Sequence, residues 1–187
     1  DCSRGEANAI SITAIGSQGE LKLRRYSCRP EEIILTTGIH GLSKLGYLLK
    51  TNQIEKSNDF LSEDIIKQSL KAFQRPKPQK KFIQNIIKTR SSSDKKVIGC
   101  TDSSDGFYQA INDLAITSNC KAIIDYKKVP KYKSWPSGES WDNYYFYGGE
   151  DYELIFSLPK DWARRYLSLD KQSYEIGKFI KGLPSVE

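Results

Sequence analysis

Short apolar runs alternate along this sequence with segments of helical period, and that alternation limits the fold more than any other feature. Ile33-Ile34-Leu35-Thr36-Thr37 reads as a buried strand ended by Gly38, and the apolar spacing then changes, so that Leu42, Leu45, Leu48 and Leu49 share one helical face. Ser62 followed by Glu63 and Asp64 predicts an N-cap with acids in the first turn, opening a helix that buries Ile65, Ile66, Leu70 and Phe73 and ends at Pro76 and Pro78. Phe82, Ile83, Ile86 and Ile87 predict another amphipathic helix, and the polar run from Arg90 to Lys96 a loop. Val97 to Cys100 and Ala122 to Ile124 read as strands on either side of a helix opened by Asp105. Leu154-Ile155-Phe156 predicts a strand, Asp161 to Leu167 a helix, and Glu175 to Ile180 a last strand. Such a succession specifies an α/β fold, a layered mixed sheet with packed helices.

Nearer the start, Ile10, Ile12 and Ala14 alternate with Ser11 and Thr13, which reads as one more strand. With nothing upstream to pair with it, this strand is expected to be the tail of a domain whose body is missing. The 187 residues suffice for one core of ordinary size. No apolar stretch approaches the roughly 20 residues that cross a bilayer, and no basic-then-apolar leader opens the sequence, so a cytoplasmic protein with no membrane partner is expected. Cys2, Cys28, Cys100 and Cys120 include no closely spaced pair, and His40 is the only histidine. That argues against zinc and leaves reduced thiols as the expectation.

The net charge of +6 comes mainly from lysines between Arg75 and Lys96 and between Lys121 and Lys133. Stacking aromatics are not interleaved with Arg75-Pro76-Lys77-Pro78-Gln79-Lys80-Lys81, and no zinc-finger or ribonucleoprotein signature accompanies it. A solvated basic surface, suited also to anionic phosphates, accounts for these residues, and no nucleic-acid partner is expected.

Three turns carry potential chemistry. Asp102 and Asp105 bracket Ser103 and Ser104 at a strand-to-helix junction, with Gly106 after them. Such carboxylates suit magnesium, which takes oxygen ligands from a few acids and from substrate phosphates, but the same residue types also cap helices. Gly148-Gly149-Glu150-Asp151 presents paired acids on a glycine turn before a buried strand, which a tight loop alone does not require. Thr37-Gly38-Ile39-His40-Gly41-Leu42-Ser43 is either a phosphate-cradling turn or a tight connection, and lacks the Gly-Lys-Ser/Thr of a Walker loop. His40 reads as a turn residue rather than a base. The aromatics from Trp135 to Tyr147 read mostly as packing residues.

Taken in order, these segments resemble the thiamine-monophosphate kinases, in the superfamily of aminoimidazole ribonucleotide synthetase and selenophosphate synthetase. Gly148-Gly149-Glu150-Asp151-Tyr152-Glu153-Leu154 matches the family's most diagnostic stretch without a substitution, and Thr101 to Phe107 resembles its Asp-x-Ser-Asp-Gly-Leu block. Arg75-Pro76-Lys77-Pro78 resembles its Arg-Pro-x-Pro element, and Asp1 the aspartate of its Gly-Gly-Asp motif. Glu31-Glu32 stands where the family usually has Gly-Asp, and Phe107 replaces a common leucine.

The resemblance implies a two-domain, usually homodimeric enzyme that transfers the γ-phosphoryl of ATP to thiamine monophosphate, giving thiamine diphosphate. Position by position, it implies Asp1, Asp102 and Asp105 as magnesium ligands, Arg25 and Ser104 as ATP contacts, and Glu150 as a contact to the thiamine substrate through an amine hydrogen bond or attraction of the thiazolium. No catalytic nucleophile is implied. Residues 1–25 would be the tail and linker of a missing N-terminal ATP-binding domain, and 26–187 a C-terminal α/β domain that stops before the family's closing aromatic segment. The 187 residues alone are then expected to be inactive or nearly so. Another ATP-dependent enzyme of the superfamily, or a non-catalytic binding module, is the alternative.

Overall fold

In a computed structural model, which describes residues 12–187, a single seven-stranded sheet organises the chain in the order β1-β3-β5-β2-β6-β4-β7. The strands are β1 (Lys22–Arg24), β2 (Ile33–Thr36), β3 (Val97–Asp102), β4 (Lys121–Ile124), β5 (Leu154–Leu158), β6 (Tyr174–Ile180) and β7 (Ser185–Val186). The edge pairs β1–β3 and β4–β7 are parallel, and the inner pairs are antiparallel. The helices are α1 (Leu42–Lys50), α2 (Glu63–Gln74), α3 (Lys80–Thr89), α4 (Phe107–Thr117), α5 (Glu139–Tyr147) and α6 (Lys160–Leu169). Among the described residues no helix is long and apolar enough to cross a membrane.

Neighbouring residues in the central strands point to opposite faces, and the core divides accordingly. Ile34 of β2 and Ile155 of β5 join Leu45, Ile65, Leu114 and Tyr145, under α1, α2, α4 and α5. Leu35 and Phe156, one residue along, join Phe82, Ile86, Trp162 and Tyr166, under α3 and α6. Covering both faces is what lets β2 and β5 be apolar at successive positions. Each large side chain so buried contributes about 1.5–3 kcal/mol.

Several expectations are corrected. The strand expected from Ile10 to Ala14 lies partly outside the described residues, and residues 12–18 form no regular structure, with Ile12 and Ile15 exposed. Among the described residues, 12–14 pair with no strand. Instead the chain joins the sheet at β1, whose Leu23 pairs with Ile98. The α3 face is turned from the expected one: Phe82, Asn85 and Ile86 are buried, while Ile83 and Ile87 are exposed. Helix α4 begins at Phe107 behind a Gly106 N-cap rather than at Asp105. β6 is followed by the short β7. Ser62 caps α2 as expected, its side chain accepting from the Ile65 amide.

Candidate functional site

β3 ends at Asp102, and residues 103–106 turn the chain into α4. No side chain caps that helix. The turn is closed instead by backbone hydrogen bonds, Gly106 N–H to the Ser103 carbonyl (3.1 Å) and Ser103 N–H to the Glu153 carbonyl (2.8 Å). The Asp102 and Asp105 carboxylates are therefore not spent on capping. Asp105 is exposed and Asp102 partly so. The Arg25 guanidinium, just past β1, lies 3.7 Å from the Asp102 carboxylate, with both side chains well exposed. Such a pair is worth no more than about 1 kcal/mol and yields readily to a stronger cation or to a phosphate. The Ser103 hydroxyl is buried without a partner, and the Ser104 hydroxyl makes no hydrogen bond among the described residues.

The glycine–acid loop lies directly against this turn. Glu150 N–H donates to the Ser104 carbonyl at 2.9 Å. That contact needs Gly149, because a Cβ there would stand 2.2 Å from the same carbonyl oxygen. Glu150 and Tyr152 both hold positive φ, 68° and 54°. Non-glycine residues take this conformation at a cost of about 1 kcal/mol or more, and such outliers concentrate at functional sites. The Tyr152 hydroxyl donates to the Glu150 carboxylate (2.6 Å), fixing an otherwise exposed acid.

The other acids of the loop turn inward. The Asp151 carboxylate accepts from the amides of Gly41 (2.7 Å) and Ser43 (3.0 Å), so it occupies the N-terminus of α1, which has no cap of its own. This decides between the two readings of residues 37–43: the turn is a tight connection whose anion site a protein carboxylate already fills. His40 is fully buried there, Nε2 2.8 Å from the Thr36 hydroxyl and its ring against Phe107. Burial lowers its pKa to about 3, which keeps it neutral. The Glu153 carboxylate accepts from the Thr37 hydroxyl and from the Gln79 amide (2.9 Å).

Burial raises the Asp151 pKa to about 7 although the Ser43 and Gly41 amides pull it down, and Glu153 adds to the rise. Between the ordinary Asp value of 3.8 and about 7 the folded chain holds a proton that the unfolded chain has lost. Stability from this group therefore falls as pH rises through that window. The melting temperature of the wild-type chain relative to Asp151→Asn is expected to be higher at about pH 5 than at about pH 8, read by circular dichroism. A difference independent of pH would refute it.

The aromatic segment packs, as expected. Trp135 and Tyr145 are buried with ring centroids 5.8 Å apart, Phe146 meets Tyr145 edge-on at 4.8 Å, and only Tyr147 is largely exposed among the four.

The structure thus brings Arg25, Asp102, Ser104, Asp105 and Glu150 onto adjoining turns at one end of β3 and β5, whereas Asp1 lies outside the described residues. Among the described residues no three acid, histidine or cysteine side chains gather as a metal site. Asp102 and Asp105 nevertheless fit magnesium, which one or two carboxylates hold jointly with substrate phosphates. The sequence reading missed Asp151, Glu153, Thr37 and Gln79, which fasten the loop. For Asp151 and Glu153 the signal was that the diagnostic run holds more acids than one substrate contact needs, whereas Thr37 and Gln79 lie outside that run.

The chain matches the family described as AIR synthase related protein, C-terminal domain, over residues 29–185. A thiamine-monophosphate kinase of Prochlorococcus marinus is 40% identical over 184 residues, covering 97% of this chain and 55% of that protein. The chain thus spans about half the length of the curated relatives it matches. Solved structures share its fold, among them the following two. AaThiL complexed with AMPPCP and TMP has a TM-score of 0.68 at 23% identity, over 88% of this chain and 50% of that one. E. coli HypE, a hydrogenase maturation protein, has a TM-score of 0.61 at 14% identity, over 88% and 48%.

Proposed function

The chain belongs to the AIR synthase related protein family through its C-terminal domain, and from that premise we propose that it is the C-terminal part of a kinase that phosphorylates thiamine monophosphate to thiamine diphosphate with ATP. One observation carries this reading: two carboxylates left free of helix capping, Asp102 and Asp105, stand on a turn bonded directly to the loop that presents Glu150.

Phosphoryl transfer needs positioning and neutralisation of spread negative charge, and no nucleophilic side chain. Asp102 and Asp105 would hold magnesium, joined by Asp1 from the N-terminal segment. Held there, magnesium would supply positive charge to offset the negative charge that develops on the transferring phosphoryl group. Arg25, released from its weak pair with Asp102, and the Ser104 hydroxyl would contact ATP. Glu150, oriented by Tyr152, would receive the thiamine moiety through its amine or its thiazolium. The hydrogen bond from Glu150 N–H to the Ser104 carbonyl sets the acceptor contact and the nucleotide contact in a fixed relation.

The same reading places an ATP-binding domain before residue 26, a homodimer as the working assembly, and the cytoplasm as the compartment. The test is ADP release by the full-length enzyme. It is expected to require both thiamine monophosphate and magnesium, and to be undetectable with the 187-residue chain alone. ADP release that ignores thiamine monophosphate but needs another acceptor would replace this assignment with a different kinase of the family.

A further inference from the structure

Behind the glycine–acid loop, α1, α2 and the Arg75–Gln79 strap enclose a cleft of about 460 Å³. That volume is in the range of small-molecule sites. None of Glu150, Asp102 and Asp105 lines it, so it is separate from the proposed phosphoryl-transfer site.

Apolar, cationic, uncharged polar and acidic side chains line the cleft, the acids being Asp151 and Glu153. Ile39, Leu42, Pro76 and Pro78 supply its apolar lining. Lys71, Arg75, Lys77 and Lys81 stand at its rim. Among the described residues Lys71, Arg75 and Lys77 make no ion pair or hydrogen bond through their side chains, whereas Lys95, Lys121 and Lys131 each pair with an acid. Converging unpaired cations around a concave surface raise the local concentration of anions.

The Glu153 carboxylate also lines the cleft. Its Oε2 takes the Thr37 and Gln79 hydrogen bonds, while Oε1 accepts none among the described residues. The room for this carboxylate depends on Gly38, whose Cβ would lie 2.6 Å from the Glu153 carboxyl carbon. A carboxylate out of bulk water with a free oxygen facing a cleft favours a ligand that donates a hydrogen bond.

We propose that this cleft is a second ligand site, taking a small organic phosphate that carries an amino group, with the phosphate at Arg75 and Lys77 and the amine at Glu153 Oε1. Occupancy would reach the phosphoryl-transfer site through one residue, because the Glu153 carbonyl accepts from the Ser103 amide in the Asp102–Asp105 turn. Thiamine phosphates and adenine nucleotides both have this chemistry.

The test uses the 187-residue chain in EDTA, which removes metal-dependent binding, with thiamine monophosphate, AMP and inorganic phosphate titrated separately by calorimetry. At least one of the first two is expected to bind one-to-one, about tenfold or more tighter than inorganic phosphate. Which one binds identifies the source. Arg75→Glu and Lys77→Glu, both at exposed positions that spare the core, are each expected to weaken binding about tenfold or more, and Glu150→Gln to leave it unchanged. The Ser103 amide resonance is expected to shift on saturation. Absence of saturable binding, or affinity that survives Arg75→Glu and Lys77→Glu, overturns the site. Loss of binding in Glu150→Gln also overturns it, since the ligand would then sit at the proposed acceptor contact. Failure here leaves the kinase reading intact, because that reading gives no cleft residue a part in phosphoryl transfer.

Discussion

Under the proposed function, Asp105→Asn in the full-length protein is expected to lower kcat/KM for thiamine monophosphate by about a thousandfold, roughly 4 kcal/mol of transition-state stabilisation. The substitution keeps the size of the side chain and removes its charge. Asp105 is exposed, caps no helix, and makes no ion pair among the described residues, so stability is expected to change by no more than about 0.5 kcal/mol. Asp102→Asn is a less clean experiment, because it also frees the Arg25 guanidinium. A magnesium titration separates the causes: a lost ligand raises the magnesium needed for half-maximal rate, whereas general damage does not. Activity within about tenfold of wild type would remove Asp105 from the proposed magnesium site.

What the sequence made legible follows the range of the interactions involved. α1, α2 and α6 declare themselves through apolar spacing, and their boundaries agree with the expected ones to within a few residues. β1 does not, because Lys22-Leu23-Arg24 carries no pattern and exists as a strand only through its pairing with Val97, Ile98 and Gly99. The converse error, at residues 12–14, has the same root, since alternation without a partner strand makes no sheet. α5 was hidden because aromatics surround it on all sides, leaving no clear apolar stripe.

The site divides in the same way. Asp102, Ser104, Asp105 and Glu150 were readable as residues on turns, but whether the aspartates cap α4 depended on where that helix begins. The acids of residues 151 and 153 were unreadable in role, because their partners at Gly41 and Thr37 lie more than a hundred residues away. Glu31 is a smaller instance: it holds φ 69° where the resembling family usually has glycine, so the glycine-like backbone persists without the glycine. Its neighbour Glu32 is buried and pairs with Lys95 and Ser157.

Gly149→Ala is expected to cost about 2–4 kcal/mol, an overpacking penalty of about 1–3 kcal/mol plus one hydrogen bond of about 1 kcal/mol. Its Cβ would stand 2.2 Å from the Ser104 carbonyl oxygen and 3.1 Å from that carbonyl carbon, and both are backbone atoms that no rotamer change can move aside. The two turns must separate, and the hydrogen bond from Glu150 to the Ser104 carbonyl separates with them. At about 2–4 °C per kcal/mol for a chain of this size, the melting temperature is expected to fall by roughly 5–15 °C. Gly19→Ala, with nothing within 4 Å of its Cβ, is the matched control and is expected to change little. In the full-length enzyme, assayed well below the melting point of the variant, Gly149→Ala is further expected to raise KM for thiamine monophosphate and lower kcat together. Glu150 would no longer stand in register with the Asp102–Asp105 turn. A melting temperature within about 2 °C of wild type would mean the turns can part without loss, and the fixed relation between acceptor and nucleotide contacts would fall with it.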